Sequence, residues 1–130
     1  MDKFIGLQFE HKGRGPKYDC FGLVKYIYKD KLGIELPEYV ETYNFRWGEA
    51  GKTYILDHMC DDFHVIDRYK KFDLMLFYSP SKAIVNHIGV LLSSDKFIHV
   101  QEHLTSSIAR IEGYWTNRLY KVIRYGKNII

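Results

Sequence analysis

Five short apolar or alternating runs, at 73–78, 87–92, 96–101, 107–111 and 119–125, crowd into the back half of the chain, separated by Ser, Asp, Gly and Asn. Runs of that length with no helical pattern between them pair as neighbours, which predicts a largely antiparallel sheet rather than a strand-helix-strand alternation. One strong helical signal precedes them. Phe21, Val24, Ile27, Tyr28 and Lys31 or Leu32 recur at helical spacing, Asp19 is a good N-cap, and Gly33 sits just past the last turn. A second helix is expected around 48–62, where Ala50, Tyr54, Ile55, His58 and Met59 share a face. The class is therefore α+β, an N-terminal helix that begins at Cys20 packed on an antiparallel sheet.

With 130 residues, 46% of them hydrophobic and 27% charged, the chain suits a single domain over 1–130 and excludes disorder. Its net charge of +3 is scattered rather than striped, so no nucleic-acid partner is expected. No apolar run approaches the roughly 18 residues a membrane span needs, so no membrane insertion is expected. Met1-Asp2-Lys3-Phe4-Ile5-Gly6 lacks the pattern of a secretory signal, which implies synthesis in a cytosol. In a reducing compartment Cys20 and Cys60 are not expected to pair.

Cys20 at the first helical position faces the positive end of the helix dipole and free N–H groups, which favour a thiolate; on this ground Cys20 is expected to be acidic and reactive. A nucleophile needs a base. Of six histidines, His87 and His99 are set into apolar strands, and residue parity decides whether they meet. A two-residue turn at Ser94-Asp95 opposes His99 to Val90 and sends His87 to the other face. An odd connection such as Ser93-Ser94-Asp95 opposes His99 to Gly89, makes His87 its diagonal neighbour at about 7–8 Å between Cα atoms, and leaves Gly89 as room between the rings. In that register His99 orients His87 and His87 faces Cys20, the nucleophile, base and orienter of acyl transfer.

Phe9-Glu10-His11-Lys12-Gly13-Arg14, Tyr18-Asp19-Cys20-Phe21-Gly22-Leu23-Val24, Gly33-Ile34-Glu35-Leu36-Pro37, Asp73-Leu74-Met75-Leu76-Phe77, His87-Ile88-Gly89-Val90-Leu91 and Lys96-Phe97-Ile98-His99 together resemble the NlpC family of papain-like cell-wall cysteine peptidases across nearly the whole chain. The segment 33–37 and the closing Tyr114-Trp115 and Arg124-Tyr125 are similar to the tail-assembly or tail-tip versions of long-tailed bacteriophages. The resemblance implies Cys20, His87 and His99 as catalytic residues, with Asp19, Phe21, Phe9 and Tyr18 beside the oxyanion and substrate. It also implies a peptidoglycan stem peptide cut after D-glutamate, phage tail-tip partners, and a place in the virion with action in the periplasm or cell wall. Two positions depart from the pattern: Phe21 stands where the family often has Ser, and Phe9 where many relatives have Tyr, a hydroxyl for which Tyr18 is the available substitute.

Three other functions remain in view: a silent structural tail-tip component, an antibacterial effector hydrolase, and an acyltransferase. The last runs against the chain order, since lipid-acyl relatives place His before Cys. His58-x-Cys60-x3-His64 has zinc-binding residue types, but on a helix positions 58 and 60 diverge by about 200°, so no metal is assigned. Gly13-x-Gly15 precedes a helix without the lysine and serine of a phosphate loop. No cofactor is expected.

Overall fold

The computed structural model describes residues 2–38, 62–81 and 85–126. Asp19 starts the helical layer. Its side chain accepts from the Gly22 amide and caps helix α1, Cys20–Ile27, which runs on through a π turn, Tyr28–Leu32. Gly33, in the left-handed region at φ 67°, then ends it, a backbone conformation that glycine adopts without a Cβ clash. The cap, the first residue and the terminator all stand where the sequence places them. The helix expected at 48–62 lies outside the described residues except for Asp62.

Six strands follow: β1 Phe63–Ile66, β2 Leu74–Tyr78, β3 Val85–Leu91, β4 Lys96–His99, β5 Ser107–Arg110 and β6 Leu119–Tyr125. They form one sheet in the order β1-β6-β2-β3-β4-β5, with every pairing antiparallel. Five strands match the sequence reading. β1 is a sixth, and a short helix α2, Tyr114–Arg118, is also new.

Alternate residues of β2 serve two faces. Leu74 and Leu76 join Leu23, Val24 and Ile27 of α1 with Ile88, Val90 and Ile98. Met75 and Phe77 join Leu91, Phe97 and Val122, with Trp115 of α2 packed against them. The centre of the sheet is thus buried on both sides, and at about 25 cal/mol per Å² this two-sided burial is the main force holding the layers. Asp73, at the head of β2, is buried and held bidentately by Arg124 of β6 at 2.9 Å through both oxygens.

The β3–β4 hairpin resolves the question of parity. Val90 pairs with Ile98 and Leu91 with Phe97, and the Leu92 amide bonds to the Lys96 carbonyl at 2.9 Å. This is the odd register, with 93–95 as the connection. Gly89, however, makes room for a different ring than expected: a Cβ there would lie 2.8 Å from Cδ2 of Phe97 and 3.2 Å from the Ile98 carbonyl oxygen. Phe97, not the gap between the histidines, requires the glycine.

Candidate active site

Asp19 is 1% exposed. One carboxylate oxygen accepts from the Gly22 amide at 2.6 Å and from Arg14 Nη1 at 2.8 Å, and the other accepts from the Lys12 amide at 3.1 Å. Arg14 reaches on to Glu38 with Nε and Nη2, at 2.9 and 2.8 Å. With Lys25 also on Glu38, these cations hold the Glu38 carboxyl down at about 2, the Arg14 hydrogen bond being the largest cause. The first turn of α1 is therefore clamped to the loop before it. Gly22 permits the approach, since a Cβ there would meet the Gly13 carbonyl oxygen at 2.1 Å.

The clamp presents Cys20 to the sheet. The residue is 7% exposed, and the backbone of Ile88, one position past His87, hydrogen-bonds to its sulfur, as does that of Phe21. The sequence expectation of an acidic thiol is corrected here. Burial, and then the charge of Asp19, push the thiol up to about 12, outweighing the two backbone hydrogen bonds and Arg14, which act in the opposite direction. A helix N-terminus stabilises a thiolate only by a partial charge, and desolvation of a buried sulfur exceeds it.

On β3 and β4 the structure brings His87 and His99 together, with Nε2 of His87 and Nδ1 of His99 2.7 Å apart and the rings near perpendicular. Both are buried. Burial, the His99 ring and Arg118 hold His87 well below the usual imidazole range; burial and Arg118 hold His99 down to about 4. At neutral pH the three groups are a thiol and two neutral imidazoles.

The remaining residues expected near substrate fall into two groups. Asp19 and Phe21 turn inward, Asp19 into the clamp and Phe21 into the core on the α1 face with Arg14 over its ring. Both placements have one cause: the positions flanking a helix-starting cysteine are those that fasten the helix. Phe9 and Tyr18 are partly buried and bridge to one another, and Tyr18 stacks on Tyr26 with ring centroids 5.2 Å apart. Tyr18 lines a groove of about 360 Å³ along α1 together with Arg14, Gly22, Lys25, Tyr26 and Glu38; Cys20 is not among its lining residues. His64 Nδ1 lies 2.6 Å from the Gly126 carbonyl oxygen, and no cluster of metal-ligating side chains occurs among the described residues. His58 and Cys60 lie outside them.

The NlpC/P60 family pattern matches residues 6–124. The chain belongs to the NlpC/P60 family. Among its relatives, the gamma-DL-glutamyl hydrolase of Bacillus subtilis is 25% identical over 127 residues, 95% of this chain and 27% of that protein. The murein DD-endopeptidase MepH of Escherichia coli is 31% identical over 85% of this chain and 38% of that protein. The tail tip assembly protein K of an Escherichia phage is 27% identical over 83% and 45%. The chain thus spans less than half the length of these relatives. Among solved structures, an NLP/P60 lipoprotein-like protein of Staphylococcus aureus superposes with a TM-score of 0.65 at 24% identity, covering 97% of this chain and 39% of that one. The NlpC/p60 domain of the peptidoglycan hydrolase SagA gives 0.61 at 18%, covering 95% and 91%. These likenesses establish the α+β NlpC/P60 fold. No helix among the described residues is long and apolar enough to cross a membrane.

Proposed function

We propose that this NlpC/P60 chain is a cysteine hydrolase of peptidoglycan stem peptides, with Cys20 as nucleophile, His87 as base and His99 as orienter. The observation that carries the reading is the 2.7 Å contact between His87 and His99, two buried imidazoles on the strand pair that also meets the Cys20 sulfur through Ile88. In the tautomer where His87 Nε2–H donates to His99 Nδ1, the His87 Nδ1 lone pair is free to accept a proton.

With the thiol pushed up to about 12 and both imidazoles held low, the resting groups are neutral rather than an ion pair. The proton therefore leaves sulfur for His87 Nδ1 as the C–S bond forms on the substrate carbonyl. The Cys20 backbone N–H, a first-turn donor of α1, is the first candidate to hold the oxyanion. As the C–N bond breaks, His87 returns the proton to the departing amine, and water then hydrolyses the thioester with His87 again as base.

The substrate class comes from the relatives: two bear the names of a glutamyl hydrolase and a murein endopeptidase, which supports a cell-wall peptide, with the bond after D-glutamate as the first to test. A tail tip assembly protein among them supports action from a phage tail, with tail-tip proteins as partners. The burial of Cys20 favours one competing reading, a tail-tip component that keeps the fold without catalysis.

Digestion of purified sacculi by the wild type and by Cys20→Ala, with mass analysis of the released peptides, separates the two. The hydrolase releases stem-peptide fragments and the variant releases none. Identical fragments from both would remove Cys20 from the mechanism, and no fragments from either would favour the silent component.

A further inference from the structure

The histidine pair is roofed by α2, which lies in the crossover that carries the chain from edge strand β5 back to β6. Gly113, at φ 50°, turns the backbone after β5 so that α2 lies over the face carrying His87 and His99; such a turn suits a residue without a Cβ. Trp115 reaches both rings. Its indole stacks on His87 with centroids 5.6 Å apart at 29°, and meets His99 edge-on at 4.7 Å and 89°. Phe77 and Phe97 pack on the same indole at 5.1 and 5.5 Å, so it sits in a fixed aromatic box.

Arg118 completes the arrangement. It is 7% exposed, its Nε donates to the Tyr78 carbonyl at 2.8 Å, its Nη1 donates to the Tyr114 hydroxyl at 2.7 Å, and its guanidinium lies 4.8 Å from the Trp115 ring centroid. These partners are neutral, so among the described residues a buried cation is retained near two imidazoles on carbonyl, phenol and ring contacts. Keeping a charge under cover is unfavourable unless it is well held, and here it ties α2 to the end of β2.

We propose that Trp115 and Arg118 are positioning residues for the His87–His99 pair, the indole fixing both ring planes and keeping water from the hydrogen bond between them, the guanidinium locking the indole in place. The inference rests on the catalytic reading of that pair. The groups that face the imidazoles are each other, Arg118 of α2 with its Tyr114 partner, and the rings of Phe77, Phe97 and Trp115. Arg118 is the charged member, and its field opposes an imidazolium on either ring.

The test is imidazole NMR on the full chain, following ring-nitrogen shifts and N–H exchange in wild type, Arg118→Lys, Arg118→Gln, Trp115→Phe and Trp115→Ala, with far-UV circular dichroism as the folding control. Arg118→Gln should raise the His99 titration midpoint by about one pH unit, while Arg118→Lys keeps it within a few tenths. Trp115→Ala should speed exchange of the shared N–H at least tenfold, and Trp115→Phe should restore most of the protection. An unchanged His99 midpoint in folded Arg118→Gln, or unchanged exchange in folded Trp115→Ala, would overturn the proposal. Because these readouts need no turnover, they stand apart from the sacculus assay, whose failure would sink the catalytic reading alone.

Discussion

The two ends of the site are built by different means. At the sulfur end, Asp19, Cys20 and Gly22 lie within one turn, and their partners Lys12, Gly13 and Arg14 come from the loop just before it. At the imidazole end, His87 and His99 meet through the β3–β4 register, and Trp115 and Arg118 arrive from a helix in the β5-to-β6 crossover that lies over the sheet. A local motif therefore sets the proposed nucleophile, whereas tertiary packing sets the proposed base. Damage at one end should be confined to the helix start, while damage at the other should travel through the hairpin.

The largest effects should come from removing chemistry. His87→Ala should lower peptide release from sacculi by about 10²–10⁴, the usual range for a positioned base. His99→Ala should lose less, because an orienter acts through its neighbour; equal losses measured under the same conditions would make the two histidines joint bases.

Next are the effects on stability. Asp19→Ala removes a cap of about 1 kcal/mol and leaves Arg14 short of a partner, so a loss of about 2–3 kcal/mol in urea unfolding is expected. Asp19→Asn should retain most of the cap and, by deleting the charge that raises the thiol, speed alkylation of Cys20 by iodoacetamide at pH 8. At the other end Gly89→Ala should cost about 1–3 kcal/mol by driving a methyl into Phe97. An unfolding midpoint unmoved by that change would show the hairpin to be softer than its packing implies.

Acid should separate the two ends more gently. The histidines are held low in the fold, so below about pH 6.5 the unfolded chain takes up protons that the folded chain refuses, and stability falls as pH drops toward the folded value of about 4 for His99. His99 alone contributes up to about 3 kcal/mol to this loss. Thermal unfolding of wild type and His99→Gln between pH 7 and 4.5 checks it, the variant losing less on acidification.

This division also explains what the sequence made legible. Asp19, Cys20 and Gly33 could be placed on a helix because capping chemistry is local. The meeting of His87 and His99 followed from parity once the connection length was chosen. β1 escaped notice because Phe63-His64-Val65-Ile66 is an edge strand whose pairing with Ile123 and Tyr125 of β6 lies some sixty residues away. α2 escaped because five residues are too few to display a helical period. The acidity of Cys20 was misjudged for a related reason: the dipole is written in the first turn, but the enclosure that outweighs it is assembled by the whole sheet.

Peptide release from sacculi by wild type, Cys20→Ala, His87→Ala and the double variant tests most directly whether the two ends act as one unit. If sulfur and imidazole share a single proton transfer, the double variant should be no slower than the slower single variant. Losses that multiply, or a Cys20→Ala protein that releases peptides at the wild-type rate, would contradict the account.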